Sequence, residues 1–139
     1  MQMVRASESD VQTLARMNKM LIEDEGHRNP MGPAELTKRM SRWLGGEYEA
    51  YLFVVEESVA GYCLFKEEND FVYIRQFFVA REQRRKGIGR QAIEWLSHEV
   101  WPRGKRLRLD VLTANPAGIR FWRQCGFTDY CLTMERLET

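Results

Sequence analysis

Apolar residues recur every three or four positions in four stretches of the sequence, the spacing of one buried face of an α-helix. The first stretch follows Ser7 and Asp10, which together indicate a capping box, and predicts a helix over about residues 8–22. Residues 23–32 are polar and contain glycine and proline, so a loop is expected there. The other three helices are predicted by stripes at Leu36, Met40, Trp43 and Leu44, at Ile88, Ala92, Trp95, Leu96 and Val100, and at Ile119, Phe121 and Trp122.

Between the helices, short runs of β-branched, aromatic and alternating apolar residues predict strands. These runs cover residues 3–5, 51–56, 60–65, 71–79, 107–111 and 127–137. The resulting order, β-α-α-β-β-β-α-β-α-β, predicts a mixed α/β fold built around one sheet. Because the chain has 139 residues and no repeat or linker-like stretch, residues 1–139 are expected to form a single domain.

Composition and charge narrow the classes of partner. A net charge of +1 gives no general basic field, so nucleic acid is not an expected partner. No apolar run approaches the roughly 20 residues of a membrane-spanning helix, and the first residues lack the features of a secretion signal. We therefore expect a cytoplasmic protein without a membrane partner. Cys63, Cys125, Cys131, His27 and His98 show no ligand or disulfide spacing, so no metal site is expected.

A basic turn with two glycines, at residues 83–90, carries the clearest chemical signal. It lies between a predicted strand and a predicted helix whose first amides have no partner inside the helix. Gly87 and Gly89 would let the backbone approach a ligand, and the start of the helix favours a phosphate. The spacing fits neither the Walker loop nor the dinucleotide-binding fingerprint, and taken alone it also fits a solvated turn. The positive charge is supplied by Arg84, Arg85, Lys86 and Arg90.

A second pattern lies on the last predicted helix and accompanies this turn. The two patterns are Arg84-x-x-Gly87-x-Gly89, entered from Phe77-Phe78-Val79, and the later Asn115, Phe121-Trp122 and Gly126-Phe127. They resemble the two signatures of the GNAT acyltransferase superfamily, and the order of elements is similar too. The resemblance covers most of residues 3–137 and is weakest over residues 23–49. It implies a GNAT fold with a splayed central sheet and an acetyl-CoA-dependent N-acetyltransferase.

The resemblance also implies where the cofactor would lie. The amides from Arg85 to Arg90, which include those of Lys86, Gly87, Ile88 and Gly89, would hold the pyrophosphate of CoA. The strand of Phe77, Phe78 and Val79 would expose main-chain groups to the pantetheine arm and one amide to the thioester carbonyl. Asn115 would contact the arm, and Phe121 and Trp122 would lie beside it; for Phe121, plain core packing is an equal alternative.

The expected acid and base of the family are absent from this sequence. Trp122 stands where the family usually has its tyrosine acid, and an indole N–H is not a useful proton donor. Tyr73 stands where some relatives have a glutamate base. Tyr130 is a candidate replacement acid, and Gln76 could order a water molecule. Carboxylates just before the same strand, at Glu67, Glu68 and Asp70, and a water relay to solvent are alternative bases.

The acceptor is indicated only by its charge. The consecutive carboxylates Glu23, Asp24 and Glu25 would attract a cationic amine of a small molecule or peptide, although a solvated acidic loop is the alternative. Asn18 lies on the apolar stripe of the first helix and faces either the core or the acceptor pocket. A non-catalytic acyl-CoA sensor remains a second hypothesis, and the resemblance makes a homodimer an expectation.

Overall fold

Five strands form one sheet in the order β1-β2-β3-β4-β5 in the computed structural model, which describes residues 1–139. Strands β1 to β4 pair antiparallel, and β5 joins β4 in parallel because a helix crosses over between them. The strands are β1 (Gln2–Arg5), β2 (Tyr48–Val55), β3 (Ser58–Glu67), β4 (Phe71–Val79) and β5 (Arg106–Arg108). The helices are α1 (Val11–Glu25), α2 (Pro33–Leu44), α3 (Ile88–Glu99) and α4 (Pro116–Gln124).

The helices cover both faces of the sheet, so the molecule has three layers. Alternate residues of β2 enter two separate cores: Leu52 packs with α1 and α2, whereas Phe53 packs with α3. Tyr62 and Phe78 pair across β3 and β4 on the α1–α2 face. Phe77 points to the opposite face, toward α4. The mixed α/β fold predicted from the element order is therefore confirmed.

The first helix extends further than its apolar stripe predicted. A single 3-10 turn precedes it, where the Asp10 carboxylate accepts the Ser7 amide at 2.8 Å as expected for one half of a capping box. The helix then runs through Glu25 and ends at Gly26, whose φ of 69° is left-handed. The prediction that Glu23, Asp24 and Glu25 lie in a loop is wrong, because the helix end is set by Gly26 and not by the last apolar residue.

The predicted strand at residues 127–137 does not form. No hydrogen-bonded ladder includes this segment, and apart from Phe127, which packs against the core, its large apolar side chains are exposed. The sequence alternation there is genuine, but the sheet of this chain ends at β5 and offers the segment no registered partner. The largest exposed apolar side chains of the tail are Tyr130, Leu132, Met134 and Leu137.

The sheet opens between β4 and β5. Their parallel pairing is limited to Phe71–Tyr73 against Arg106–Arg108, although β4 continues to Val79. The register between β3 and β4 also shifts at this point, leaving Arg75 as an extra residue in β4. The second half of β4 therefore has β3 on one side and no strand on the other, which is the splay that the family resemblance implied.

Several other features of the molecule bear on its chemistry. No helix combines the length and apolar character needed to cross a membrane. No three histidine, cysteine, aspartate or glutamate side chains lie close enough to hold a metal ion. The cysteines are free thiols, and burial raises the pKa of Cys63 strongly.

Candidate active site

The turn after β4 presents a row of unsatisfied backbone donors. None of the amides from Arg85 to Arg90 donates a hydrogen bond within the protein, whereas the Gln91 amide already bonds to the carbonyl of Gly87. These donors precede or belong to the first turn of α3, whose dipole adds positive potential. The amides are thus free as the sequence predicted, and binding of an anion to this turn, called the anion site below, stays a prediction.

The two glycines of this turn have different structural roles. Gly87 has a φ of +77°, and a Cβ added there would meet nothing within 4 Å, so its environment is open toward solvent or a ligand. A Cβ at Gly89 would come within 3.0 Å of the Phe121 ring. Gly89 therefore lets α3 pack against α4, whereas the close approach of a ligand to its backbone stays a prediction.

Of the four basic side chains at the turn, Arg84 is already paired. Its guanidinium donates to the carboxylate of Asp24 and, at 2.7 Å, to the carbonyl of Val79. Arg81 donates to the same carboxylate at 2.8 Å. Burial acts to raise the pKa of Asp24, but the hydrogen bonds and charges of Arg84 and Arg81 outweigh it, and the net shift is downward. The expected phosphate contact of Arg84 is thus replaced by a link between α1 and the turn.

The open edge of β4 supplies further main-chain groups. The Ala80 amide donates to the carbonyl of Ala60 in β3 at 2.7 Å. Because successive amides of a strand point to opposite sides, the amides of Phe77 and Val79 point to the side of β4 that has no neighbouring strand. An extended ligand that paired with these groups would lie along β4 and reach the anion site.

An aromatic cluster surrounds Trp122. Its ring lies 5.1 Å from Phe77, 4.9 Å from Phe121 and 5.1 Å from Phe127, measured between centroids, and all four residues pack against the α3-side core. These contacts favour a packing role for Trp122. For Phe121, the stacking on Phe77 and the contact with Gly89 favour the core alternative that the sequence left open.

Asn115 acts as the N-cap of α4. Its side-chain oxygen accepts the Gly118 amide at 3.1 Å. A Cβ on Gly118 would lie 2.4 Å from the Asn115 side-chain nitrogen, so the cap requires glycine at that position. Only the side-chain NH₂ of Asn115 remains available to a ligand.

Glu25, one of the three carboxylates expected to attract the acceptor amine, is more buried than its neighbour Glu23. Glu25 is partly buried, and burial, followed by the charge of Asp24, raises its pKa to about 6. It lies close enough to Tyr62 for its charge to raise the pKa of that fully buried phenol, where desolvation is the larger cause. The Tyr62 hydroxyl donates to the side-chain oxygen of Gln76 at 2.8 Å. Glu25, Tyr62 and Gln76 therefore form one polar group beside the open half of β4.

The other predicted acid and base candidates lie elsewhere. The Tyr73 hydroxyl donates to Asp110 at 2.9 Å, and burial and this hydrogen bond raise its pKa to about 12. Tyr130 is 74% exposed on the tail and contacts Arg108. Glu67 pairs with Lys105 and Glu68 with Lys66, both at the far end of β4 from the anion site. Of the candidates named as acid or base, only Gln76 lies with Glu25.

Asn18 belongs to a second polar group on the same face. It is only 1% exposed, and its side-chain oxygen accepts a hydrogen bond from Arg39 at 3.1 Å. Both Arg39 and Arg75 lie over the Trp43 ring, with guanidinium carbons 4.4 and 4.8 Å from its centroid. Neither arginine forms a salt bridge.

Sequence analysis did not identify these two arginines. Arg39 lies three residues after Leu36 and four before Trp43, so it falls on the apolar stripe of α2. A charged residue at core spacing is a recognisable signal, since such a residue is rarely buried without a partner. Arg75 has no comparable signal, because its orientation depends on the register shift within β4.

The comparisons with known proteins agree with this geometry. Solved structures of similar fold include an aminoglycoside N-acetyltransferase, AAC(6')-Iy, in complex with CoA (11% identity, 99% of this chain and 93% of that chain, TM-score 0.78). They also include a predicted acetyltransferase from Clostridium acetobutylicum with acetyl-CoA (18%, 98% and 95%, 0.77). A third is a ribosomal-protein-alanine N-acetyltransferase from Brucella melitensis biovar Abortus 2308 (14%, 98% and 99%, 0.73).

At these identities the structural likeness establishes the fold only. No curated protein matches the sequence. The sequence itself, however, matches the Acetyltransferase (GNAT) family over residues 14–127, which is most of the chain. With the anion-binding turn, the splayed strands and this match together, the chain belongs to the GNAT family of acetyltransferases.

Proposed function

We propose that this protein is an acetyl-CoA-dependent N-acetyltransferase that transfers the acetyl group directly to the primary amine of a small molecule or peptide. The observation that carries the cofactor assignment is the row of unpartnered amides from Arg85 to Arg90. The open edge of β4 leads from these amides to the polar group around Glu25. A diphosphate with a long polar arm matches both features.

Different residues would bind the diphosphate and the pantetheine arm of the cofactor. The amides of the turn bind the diphosphate, assisted by the side chains of Arg85, Lys86 and Arg90. The free amides of Phe77 and Val79 bind the pantetheine arm, and the Phe77 amide is placed to polarise the thioester carbonyl. The NH₂ group of Asn115 is a further donor to the arm. Arg84 acts indirectly, because its contacts with Asp24 and Val79 hold the turn in position.

The transfer also requires a neutral amine near the thioester. Bound acetyl-CoA would supply an activated acetyl group: its C–S bond would break as the new C–N bond formed, and the second proton lost by the nitrogen would go to the departing thiolate. Glu25 accepts the first proton, which the ammonium group must lose before attack; its carboxylate is ionised above about pH 6, and its raised pKa makes it a stronger base there. The carboxylates at Glu23 and Asp24 do not share this role: Glu23 is exposed and Asp24 is paired with two arginines.

We also propose that the protein forms a homodimer through its tail. Tyr130, Leu132 and Met134 alternate with polar residues and are 74%, 75% and 81% exposed. Alternation of this kind suits a strand with one buried face. The edge of β5 is free in the single chain, so a second copy can supply the missing partner.

The function is tested by measuring thiol release from acetyl-CoA across a panel of primary amines, with cofactor binding measured separately by thermal shift. A true ligand at 100 times its dissociation constant should add about 2.7 kcal/mol of stability. We expect acetyl-CoA and CoA, but not ATP, to stabilise the protein, and at least one amine to increase thiol release. Stabilisation without any amine-dependent release would instead favour an acyl-CoA sensor.

A further inference from the structure

Two arginines without an acidic partner lie on the same side of the sheet as Glu25, the side covered by α1 and α2. Arg39 and Arg75 both lie over the indole of Trp43, and neither has an acidic partner. Arg39 donates to Asn18, and Arg75 donates to the Tyr48 hydroxyl at 3.3 Å, so both guanidinium groups contact only neutral acceptors.

The same region has hydrogen-bond donors that lack acceptors. The Nε of Arg39 and the side-chain nitrogen of Asn18 are buried and have no partner. Buried donors without a partner are rare in folded proteins, because each loses its hydrogen bond to water without replacement. Burial lowers the pKa of Arg39, and the charge of Arg75 is the next largest cause, followed by Tyr62, which raises it, and Arg42, which lowers it.

The first helix links these cations to Glu25. Asn18 and Glu25 lie seven residues apart on α1, so they share one face of the helix at a separation of about 10 Å, and Asn18 accepts a hydrogen bond from Arg39. This face therefore presents a carboxylate, which favours an ammonium group, at one end and guanidinium groups, which favour an anion, at the other. A molecule with an amine and an acid a few bonds apart has the matching distribution of charge.

We propose that the acceptor is an amine that also bears an acidic group, a carboxylate or a phosphate, and that Arg39 and Arg75 bind this group. The inference rests on the proposed function and specifies its substrate class. It adds an acidic group to the cationic amine that the acidic triplet led us to expect. Arg75 lies on β4 two residues from Phe77, roughly 7 Å along the strand, so the acid and the reacting amine belong to one residue or one small molecule.

The test compares amines in pairs that differ only by the acidic group. α-Amino acids are paired with their decarboxylated amines, for example L-lysine with cadaverine, and O-phosphoethanolamine is paired with ethanolamine. Thiol release gives kcat/KM, and calorimetry on the CoA-bound protein gives acceptor affinity independently of turnover. We expect the acid-bearing member of a pair to bind and react better, and the carboxylate and phosphate pairs show which acid is preferred.

Variants assign the preference to the arginines. Arg75→Gln and Arg39→Gln should weaken binding of the acid-bearing amine by about 10- to 100-fold and leave its partner unaffected. Arg103→Gln, an exposed residue in the turn before β5, removes the same charge and should change neither. Arg75→Glu, at an exposed position, should shift the preference toward the diamine and so separates a binding role from a folding defect.

The outcomes distinguish this inference from the proposed function. Acetylation of amines without a preference for an acid, or without dependence on Arg75, would overturn the inference and leave the acetyltransferase standing. Arg75-dependent binding of acid-bearing amines without thiol release would support the inference and contradict the proposed enzyme. No Arg75-dependent binding or turnover across the panel would overturn the inference.

Discussion

Adjacent carboxylates at the end of α1 differ sharply in their chemistry. Asp24 accepts hydrogen bonds from Arg81 and Arg84, and the pKa of its carboxyl is lowered. Glu25 points to the face of Tyr62, where burial raises its pKa to about 6. A helix turns by about 100° per residue, which is enough to place one carboxylate between two arginines and the next 3.6 Å from the His27 ring.

Replacement of Glu25 by glutamine should lower kcat/KM by about 100-fold at pH 8, since general base catalysis typically contributes 10²–10⁴-fold. In the unaltered protein we expect the rate to fall as pH drops through about 6, and this fall should disappear in the variant. Glu23→Gln, on the exposed side of the same helix, is the matched control. Equal activity of Glu25→Gln and its control, measured by thiol release from pH 5 to 9, would remove Glu25 from the mechanism.

Glu25→Gln should lower activity, but it should not lower the stability of the fold. A carboxyl whose pKa rises from about 4.5 to about 6 on folding destabilises the folded state once pH exceeds the unfolded value. The penalty grows from about pH 4.5 to 6 and is on the order of 1–2 kcal/mol above that range. Glutamine carries no such penalty, so the variant should melt no lower than the parent at pH 8.

Gly87 allows a direct test of the anion site. Gly87→Asp should abolish stabilisation by acetyl-CoA, because it places a carboxylate among the amides that bind the diphosphate. Gly104→Asp is a close control: it also has a left-handed φ, of +79°, and open space around its Cβ, but it lies at the other end of α3. Both variants should lose similar stability from backbone strain. Retained cofactor affinity in Gly87→Asp, by calorimetry, would place the diphosphate elsewhere.

At the scale of elements, local sequence predicted which segments are helices and strands, and the tertiary partners decided where they end. The apolar stripes located all four helices, whereas the end of α1 depended on Gly26. The anion site was predictable because it is made of consecutive backbone. The polar group around Tyr62 was not predictable, because it brings together α1, α2, β3 and β4 and depends on the register shift at Arg75.

The β2–β3 hairpin retains strain that substitution can remove. Val55 pairs with Ser58, so the turn consists of Glu56 and Glu57, which have φ values of 49° and 67°. Two-residue turns of this kind favour Asn-Gly, and left-handed conformations cost roughly 1–2 kcal/mol in other residues. The double change Glu56→Asn and Glu57→Gly should increase the free energy of unfolding by about 1–2 kcal/mol in urea titration.

The control for the hairpin is Ser58→Gly, which places glycine in an extended position and should reduce stability. If the double variant were no more stable than the parent, the left-handed conformation at these positions would be refuted. Glu56 shares a surface cavity with Lys86 and Ile88 of the anion site, so cofactor affinity should be measured beside stability in the double variant.

At the scale of the whole molecule, the tail determines whether the chain acts alone. Leu132→Glu with Met134→Glu should give a monomer in sedimentation experiments if these side chains are buried between copies, because a strand interface does not tolerate buried unpaired charges. The parent protein should sediment as a dimer. Lys38→Glu, on the exposed side of α2, changes the net charge by the same amount without altering an apolar side chain and serves as a control. A parent that sediments as a monomer would contradict the proposed dimer.

The bond network around Asp24 has a consequence for how the two substrates are handled. Asp24 is anchored to the residues that shape the diphosphate turn, and the next residue along the backbone is Glu25. We expect any displacement of that turn on binding the proposed cofactor to act through one peptide unit on Glu25, the proposed base. Initial-rate kinetics should then show a compulsory order in which the nucleotide enters before the amine.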